Sequence, residues 1–342
     1  MARRRRVRTS ALALAVLVVV GGVVFVGTRS SAAAPGRSVG TIVGRVARTG
    51  VTTRDLRAYA GQGAWVDGFD FGPAYQQAGA APPITPAAVD DMAAHGVKTL
   101  FLQAARDDTR SPQGIVDRAL VAEFLVRAHE RGMRVVAWYL PTFADVDTDL
   151  AQLLQLARFD VLGHRFDGIA VDIEDVDTVP DHEERNARLV DLAKRFRAAS
   201  GSDAIGAIVL PPVLTEVVNP KRWPDFPWQQ LRADYDVWLP MSYWTMRSVS
   251  SGYHDGYTYN DESVRRLRAD LDDPHAVVHA IGGIADTATA AELDRFAVSL
   301  HDDGAIGGSI YDWNTLTADA KDAMARAFAT GPAASLPPPP PS

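Results

Sequence analysis

The chain contains no cysteine among its 342 residues. That excludes disulfides, thiolate zinc sites, cysteine nucleophiles and lipid attachment through an N-terminal cysteine. There is no Gly-x-Ser-x-Gly elbow of the kind that presents a serine nucleophile. There is also no Gly-rich phosphate loop: the first apolar run is followed by Gly72-Pro73-Ala74-Tyr75, which cannot cradle a nucleotide. His182-Glu183-Glu184-Arg185-Asn186 begins like a zinc helix but lacks the second histidine, so it reads as a solvated helix start. Basic charge is scarce over most of the chain. The formal net charge of −7 divides into +6 for residues 1–34, where Arg3, Arg4, Arg5, Arg6, Arg8 and Arg29 meet no acid, and −13 for the remainder. An acidic body argues against nucleic acid as a partner, because phosphate binding needs a basic face. No pattern calls for a cofactor or a metal, although a hard cation on Asp172, Glu174 and Asp312 stays open.

What is present at the start is an export signal by composition. An arginine cluster precedes an apolar run from Ala11 to Gly27, followed by Ser30-Ser31-Ala32-Ala33-Ala34. Two readings stand. Residues 1–34 are a signal peptide cleaved at an Ala-x-Ala site, or they remain as a single transmembrane anchor. Both put the body outside the membrane, extracellular or at the cell surface, and contact with the membrane comes only through this segment if it is uncleaved. Residues 35–60 read as a linker with a short helix near Thr53–Tyr59. Residues 331–342 read as a proline-rich tail, since Pro337 to Pro341 form a stiff or disordered end.

Between them, residues 61–330 alternate apolar runs of strand length with amphipathic stretches. The strand candidates are 64–71, 98–105, 134–140, 168–174, 204–210, 237–243, 276–281 and 306–313. Helices are expected from Thr85-Pro86 to Gly96, then over 118–131, 150–158, 183–199, 228–233, 262–271, from the capping box Thr289-Ala290-Ala291-Glu292 onward, and over 318–329. Eight strand–helix pairs in about 270 residues have the size and count of an α/β fold of the (β/α)8 TIM-barrel type. A doubly wound open sheet is the rival, and the missing phosphate turn weighs against it.

Reactive groups of such a barrel gather at the C-terminal strand ends. The expected ends are Asp70, Arg106 with Asp107, Trp138 and Tyr139, Asp172 and Glu174, Tyr243 and Trp244, His279, and Tyr311, Asp312 and Trp313. The loop after the sixth strand adds Tyr253, His254, Tyr257 and Tyr259. Acids mixed with aromatics suit carbohydrate, whose C–H faces stack on rings and whose hydroxyls bond to carboxylates. The fourth strand is the focus. Alternation puts Ile169, Val171 and Ile173 on one face and Ala170, Asp172 and Glu174 on the other. Two acids side by side on a buried face cost several kcal/mol unless they are paired or used. His279, the only histidine on a strand, ranks first as a satisfied core residue, then as a donor to a site residue, then as a ligand.

The stretch Phe166-Asp167-Gly168-Ile169-Ala170-Val171-Asp172-Ile173-Glu174 resembles the fourth-strand motif of family 18 glycoside hydrolases, the chitinase-like barrels. Met241-Ser242-Tyr243 and Trp313 resemble that family's sixth- and eighth-strand segments. The sequence departs from the pattern at Ala170, where the family carries a further acid, and at Trp244, where it usually has aspartate. The resemblance implies an exported glycoside hydrolase acting on a polysaccharide with N-acetylated sugars. It implies Glu174 as general acid, Asp172 orienting an acetamido group that attacks the anomeric carbon, Tyr243 holding that group's carbonyl, and Trp313 as the floor. Asp70, Trp138, Tyr139, Trp244, Tyr311 and Asp312 complete the expected sugar-binding set. If the substrate lacks an acetamido group, Asp312, Asp70 or Asp172 would be the second carboxylate, and alternation turns Asp312 away from Tyr311 and Trp313 unless the strand bulges. The loss of an acid at Ala170 favours the alternative, a glycan-binding barrel without turnover. A metal-dependent ester hydrolase ranks last.

Overall fold

The computed structural model describes residues 54–111, 113–201 and 203–330. Eight parallel strands close into one barrel in chain order, as the strand–helix count predicts. The order is β1 (Gly61–Val66), α1 (Gly68–Phe71), α2 (Ala88–Ala94), β2 (Thr99–Gln103), α3 (Arg118–Glu130), β3 (Arg134–Tyr139), α4 (Val146–Ala157) and β4 (Gly168–Ile173). It continues with α5 (His182–Ala199), β5 (Ile205–Val209), α6 (Trp228–Leu231), β6 (Val237–Ser242), α7 (Gly256–Asp270), β7 (His279–Ile284), α8 (Ala290–Asp302), β8 (Gly307–Tyr311) and α9 (Ala318–Thr330). The expected signal or anchor over 1–34, most of the linker and the tail over 331–342 lie outside the described residues. Among the described residues no helix is long and apolar enough to cross a membrane.

Local chemistry explains the helix starts. Asp117, Asp145 and Asp181 each accept hydrogen bonds from backbone N–H groups of the first turn of α3, α4 and α5. Thr289 and Glu292 close the expected capping box on α8. Several boundaries differ from expectation, and those of β1, α7 and β7 bear on the site. β1 begins and ends earlier, at Gly61 and Val66 rather than 64 and 71, because Asp67 caps the single turn of α1 and ends the strand. α7 starts at Gly256 rather than 262, because Asp255 accepts from the Thr258 N–H. Tyr257 and Tyr259 are therefore helical residues, and Tyr259 is buried. β7 runs three residues later than expected, so His279 opens the strand instead of nearing its end.

The barrel interior begins at a plug. The 3-10 turn Leu56–Tyr59 precedes β1, within the stretch expected to be linker. Its Tyr59 enters the barrel at the N-terminal ends of the strands. The hydroxyl donates to the carbonyls of Ile169 (2.8 Å) and Ala204 (3.2 Å). Gly168 and Gly206 make room: a Cβ there would lie 2.9 Å from the Tyr59 hydroxyl and 2.8 Å from its ring. Above it Phe101 stacks on Trp65 at 4.4 Å between ring centres. The Trp65 indole donates to Ser309 Oγ at 2.7 Å. His279 bridges the Tyr59 carbonyl (2.7 Å) and Ser309 Oγ (2.9 Å). It is thus a satisfied core residue, and burial lowers its pKa to about 4, which keeps the ring neutral. Each fully buried large side chain contributes roughly 1.5–3 kcal/mol, so these layers hold the strand ring at fixed tilt beneath the mouth.

Candidate active site

Gly168 faces the plug, so alternation carries Ala170 and Asp172 inward along β4 and sends Ile169, Val171 and Ile173 to the helices. All six strand residues are buried. Asp172 is 6 % exposed, and its Oδ1 is buried without a hydrogen-bond partner. Burial drives its pKa well above the ordinary carboxylate value, and the neighbouring Glu174 charge adds to this. Glu174 lies one residue beyond the strand end and is half-buried. Its pKa is also raised by burial, opposed by the Arg222 charge and reinforced by Asp175. Tyr243 follows β6 on the inward parity. Its phenol is raised by burial first, then by the charges of Glu174, Asp172 and Asp312. Residues from β4, β6 and β8 therefore share one electrostatic environment at the mouth.

A second acidic group adjoins it at the β8–β1 seam. Oxygens of Asp67, Asp70 and Asp312 all lie within 4.8 Å of one another. Asp70 is on α1 rather than on a strand. Its pKa is pushed up to about 8 by burial, then by the charges of Asp67 and Asp312. Burial also raises Asp312. Tyr311 faces inward, 6.3 Å from the Tyr243 ring and 6.4 Å from the Trp65 ring. Its hydroxyl donates to Asp67 Oδ2 at 2.7 Å. Asn314 donates to Asp70 Oδ1 at 2.9 Å, and Asp312 Oδ1 accepts from the Thr315 N–H at 2.9 Å. Among the described residues these acids are the ones with cation-binding spacing, rather than Asp172, Glu174 and Asp312 together. Each already accepts protein hydrogen bonds, so the local chemistry is satisfied by donors within the fold. Trp138, from β3, turns inward to an edge-on contact with Trp65 at 5.9 Å. Its Nε1 is buried without a partner.

Three expected sugar-binding residues are placed elsewhere. Tyr139 has the opposite parity to Trp138. It is fully buried on the helix side, where its hydroxyl donates to Asp149 Oδ1 at 2.7 Å. Trp244 is fully buried against Phe296 of α8, with ring centres 5.2 Å apart. Gly282 lets it approach, since a Cβ there would stand 2.6 Å from the indole. Trp313 is 2 % exposed and packs among α2 and α9, with its ring 5.9 Å from His95 and 4.3 Å from the Lys321 ammonium. It does not floor the mouth, and Tyr311 holds the inward place. β8 ends at Tyr311, so alternation no longer governs Asp312 and Trp313. Asp312 joins the inward group just past the strand end, where the β7–β8 ladder shifts register between Gly282 and Ile284.

Asp67 is the site residue that sequence reasoning missed. Its signal was there, as an aspartate three residues before another at the foot of a one-turn helix, but β1 was expected to run through it. Asp167, which begins the distinctive motif, belongs to the opposite end of the barrel. It accepts from the Val135 N–H (2.8 Å), pairs with His129 (3.0 Å) and receives Arg134 (3.1 Å).

No family model matches the sequence, and no curated protein matches it. Among solved structures the barrel's neighbours are chitinase-like and related glycoside hydrolases. A class V chitinase from Pseudomonas fluorescens Pf-5 has TM-score 0.55 and 10% identity, over 78% of this chain and 98% of that one. An endo-beta-1,4-mannanase from Thermotoga petrophila has TM-score 0.57 and 9% identity, over 80% of this chain and 77% of that one. A chitinase from Chromobacterium violaceum ATCC 12472 has TM-score 0.53 and 13% identity, over 79% and 99%. At such identities the likeness establishes the closed barrel, and the activity has to be argued from the side chains.

Proposed function

We propose that this chain is an exported glycoside hydrolase that cleaves a polysaccharide at the C-terminal mouth of the barrel, with Glu174 as general acid. One observation carries the reading: Asp172 and Glu174 sit together at the inward end of β4 beside Tyr243, both with raised proton affinity. A general acid must hold its proton near neutral pH and release it in the transition state. Burial provides the first, and the Arg222 charge keeps the carboxylate accessible afterwards.

In this reading Glu174 protonates the glycosidic oxygen as the bond to the anomeric carbon breaks. On an N-acetylated sugar the acetamido carbonyl oxygen attacks that carbon. Asp172, whose Oδ1 has no protein partner, accepts from the acetamido N–H. Tyr243 donates to its carbonyl. Water, deprotonated by the Glu174 carboxylate, then opens the cyclic intermediate and restores both groups. Trp138 and Tyr311 line the mouth, and the unpartnered Trp138 Nε1 offers a donor to a sugar hydroxyl. On a substrate without an acetamido group, Asp312 or Asp70 is the second carboxylate. Export and a location outside the membrane rest on the arginine-led apolar segment at residues 1–34.

A glycan-binding barrel without turnover is the second reading, favoured by Ala170, which is fully buried on the inward face of β4 directly below Asp172. Hydrolysis assays on chitin oligomers, neutral glycans and peptidoglycan strands separate the two. The Glu174→Gln variant is expected to lose about 10²–10⁴-fold in rate while still binding the glycan. Turnover unaffected by that change removes Glu174 from the chemistry. Binding without turnover in both proteins supports the lectin-like reading.

A further inference from the structure

Beside the acidic mouth, above β1 and β2, stands a cluster of opposite charge. Phe69 of α1 is 47% exposed. It meets Tyr75 edge-on at 5.3 Å. The Arg106 guanidinium, just beyond β2, lies 4.5 Å from the Phe69 ring centre and 5.4 Å from that of Tyr75. Arg110 lies 4.2 Å from the Tyr75 ring. The two arginines are not equivalent. Arg110 is spent on Asp108 through a two-pronged pair at 2.9 and 2.6 Å. Arg106 gives Nη1 to Gln103 Oε1 at 2.9 Å, and its Nε is buried without a partner. Among the described residues Arg106 forms no salt bridge, although its charge reaches Asp108 and helps to lower that carboxyl's pKa. The adjacent Asp107 projects its charge towards Asp149 and Tyr139, raising both. A guanidinium resting over an exposed ring with no carboxylate in salt-bridge contact, in a body of strongly negative net charge, is a cation at the edge of the mouth with hydrogen-bonding capacity to spare. Gln103 fixes it from below by accepting from both Arg106 and the Gly68 N–H (2.9 Å).

We propose that Arg106, with Phe69 as the stacking face, binds the carboxylate of an acidic sugar, so that the glycan taken by this mouth carries carboxylates. This rests on the glycoside-hydrolase reading and narrows its substrate. A pyranose ring laid on Phe69 brings a ring substituent to the guanidinium edge, whose fork matches a carboxylate. Two sources offer that chemistry: the lactyl ether of muramic acid and the C6 carboxylate of a uronic acid.

The test uses the full chain carrying Glu174→Gln, so that ligands survive. Calorimetric titration compares peptide-free peptidoglycan strands and a polyuronate oligomer, each before and after reduction of its carboxylates to alcohols, with chitin oligomers as a neutral reference. At least one acidic strand is expected to bind about tenfold or more tightly than its reduced form, the size of one charge-assisted contact, with the preference shrinking as salt rises. Whichever strand shows the preference names the source. Arg106→Gln on the same background should collapse the acid-to-reduced ratio towards one, and Arg106→Lys should keep part of it. If Arg106→Gln does not fold, the ratio and its salt dependence in the parent decide. Acidic and reduced strands that bind alike, or a ratio that survives Arg106→Gln, overturn the inference while leaving the hydrolase reading in place. Failure of every glycan, chitin oligomers included, overturns both.

Discussion

The two ends of the barrel treat charge in opposite ways. At the N-terminal end, Asp167 precedes β4 and accepts from the β3 backbone at Val135, while Asp236 precedes β6 and accepts from the β5 backbone at Ile205 (2.9 Å). Arg134 and His129 complete the first clamp, and Arg197 (2.6 Å) and Arg54 (3.0 Å) the second. These hydrogen bonds hold the Asp167 pKa below its usual value despite burial. At the C-terminal end, Asp70, Asp172, Glu174 and Asp312 are all raised, and Asp172 and Trp138 each keep a buried polar atom unmatched. Both ends are built from acids and aromatics, so composition does not distinguish them. What differs is that Asp167 and Asp236 are matched by cations and backbone N–H groups, whereas Asp70 and Asp312 meet only neutral donors and Asp172 Oδ1 meets none. A matched acid holds strands together, and an unmatched one waits for something from outside the chain.

Removing the plug should break the matched end most severely. Tyr59→Ala deletes a buried ring and leaves the carbonyls of Ile169 and Ala204 without its hydroxyl, and should cost about 3–5 kcal/mol. Urea unfolding measures this, and a loss below about 1 kcal/mol would show that the plug is dispensable.

The contrast also has a pH signature. Asp70 binds its proton more tightly in the folded state. Its contribution is therefore complete below the unfolded value and is lost as pH rises through about 8. Asp167 is shifted the other way, so its contribution is present above the unfolded carboxylate value and lost as pH falls. Asp70→Asn should flatten the decline in stability between pH 5 and 8 by about 2 kcal/mol and leave the acid limb alone. Chemical denaturation across that range checks it, and an unchanged alkaline limb would mean that Asp70 titrates normally.

The smallest effect sharpens the boundary between the ends and the wall. Tyr139→Phe should lose about 1 kcal/mol from the Asp149 contact, read in thermal or urea unfolding. Glycan turnover should stay within about twofold, because the hydroxyl lies on the helix side; a larger change would return Tyr139 to the mouth.

The alternation of strands and helices was readable from periodicity, and so was the inward pairing of Asp172 with Glu174, because period two on β4 has one apolar face and one that is not. The same rule does not say which face looks inward where both are apolar or aromatic. Trp138 and Tyr139 are therefore both eligible in sequence, and the Trp138–Trp65 and Tyr139–Asp149 contacts separate them. Trp244 and Trp313 carried motif-like positions beyond strand ends, where the period stops and packing against Phe296, His95 and Lys321 takes over. Asp67 was hidden by a strand placed too late. Arg106 stands at an expected strand end, but that it forms no salt bridge is a fact of three dimensions. The plug is invisible in sequence, since nothing in Leu56-Arg57-Ala58-Tyr59 announces that the tyrosine enters the barrel and meets carbonyls at Ile169 and Ala204, more than a hundred residues ahead along the chain.

Tyr59 has a practical corollary for anyone excising this domain. A fragment starting at Gly61 would retain all eight strands and yet have a hollow along its axis, bordered by the bare backbones of Gly168 and Gly206 and by a His279 deprived of its carbonyl acceptor. The smallest self-sufficient piece must reach back through the turn that Asp55 caps, so the first strand is the wrong place to cut.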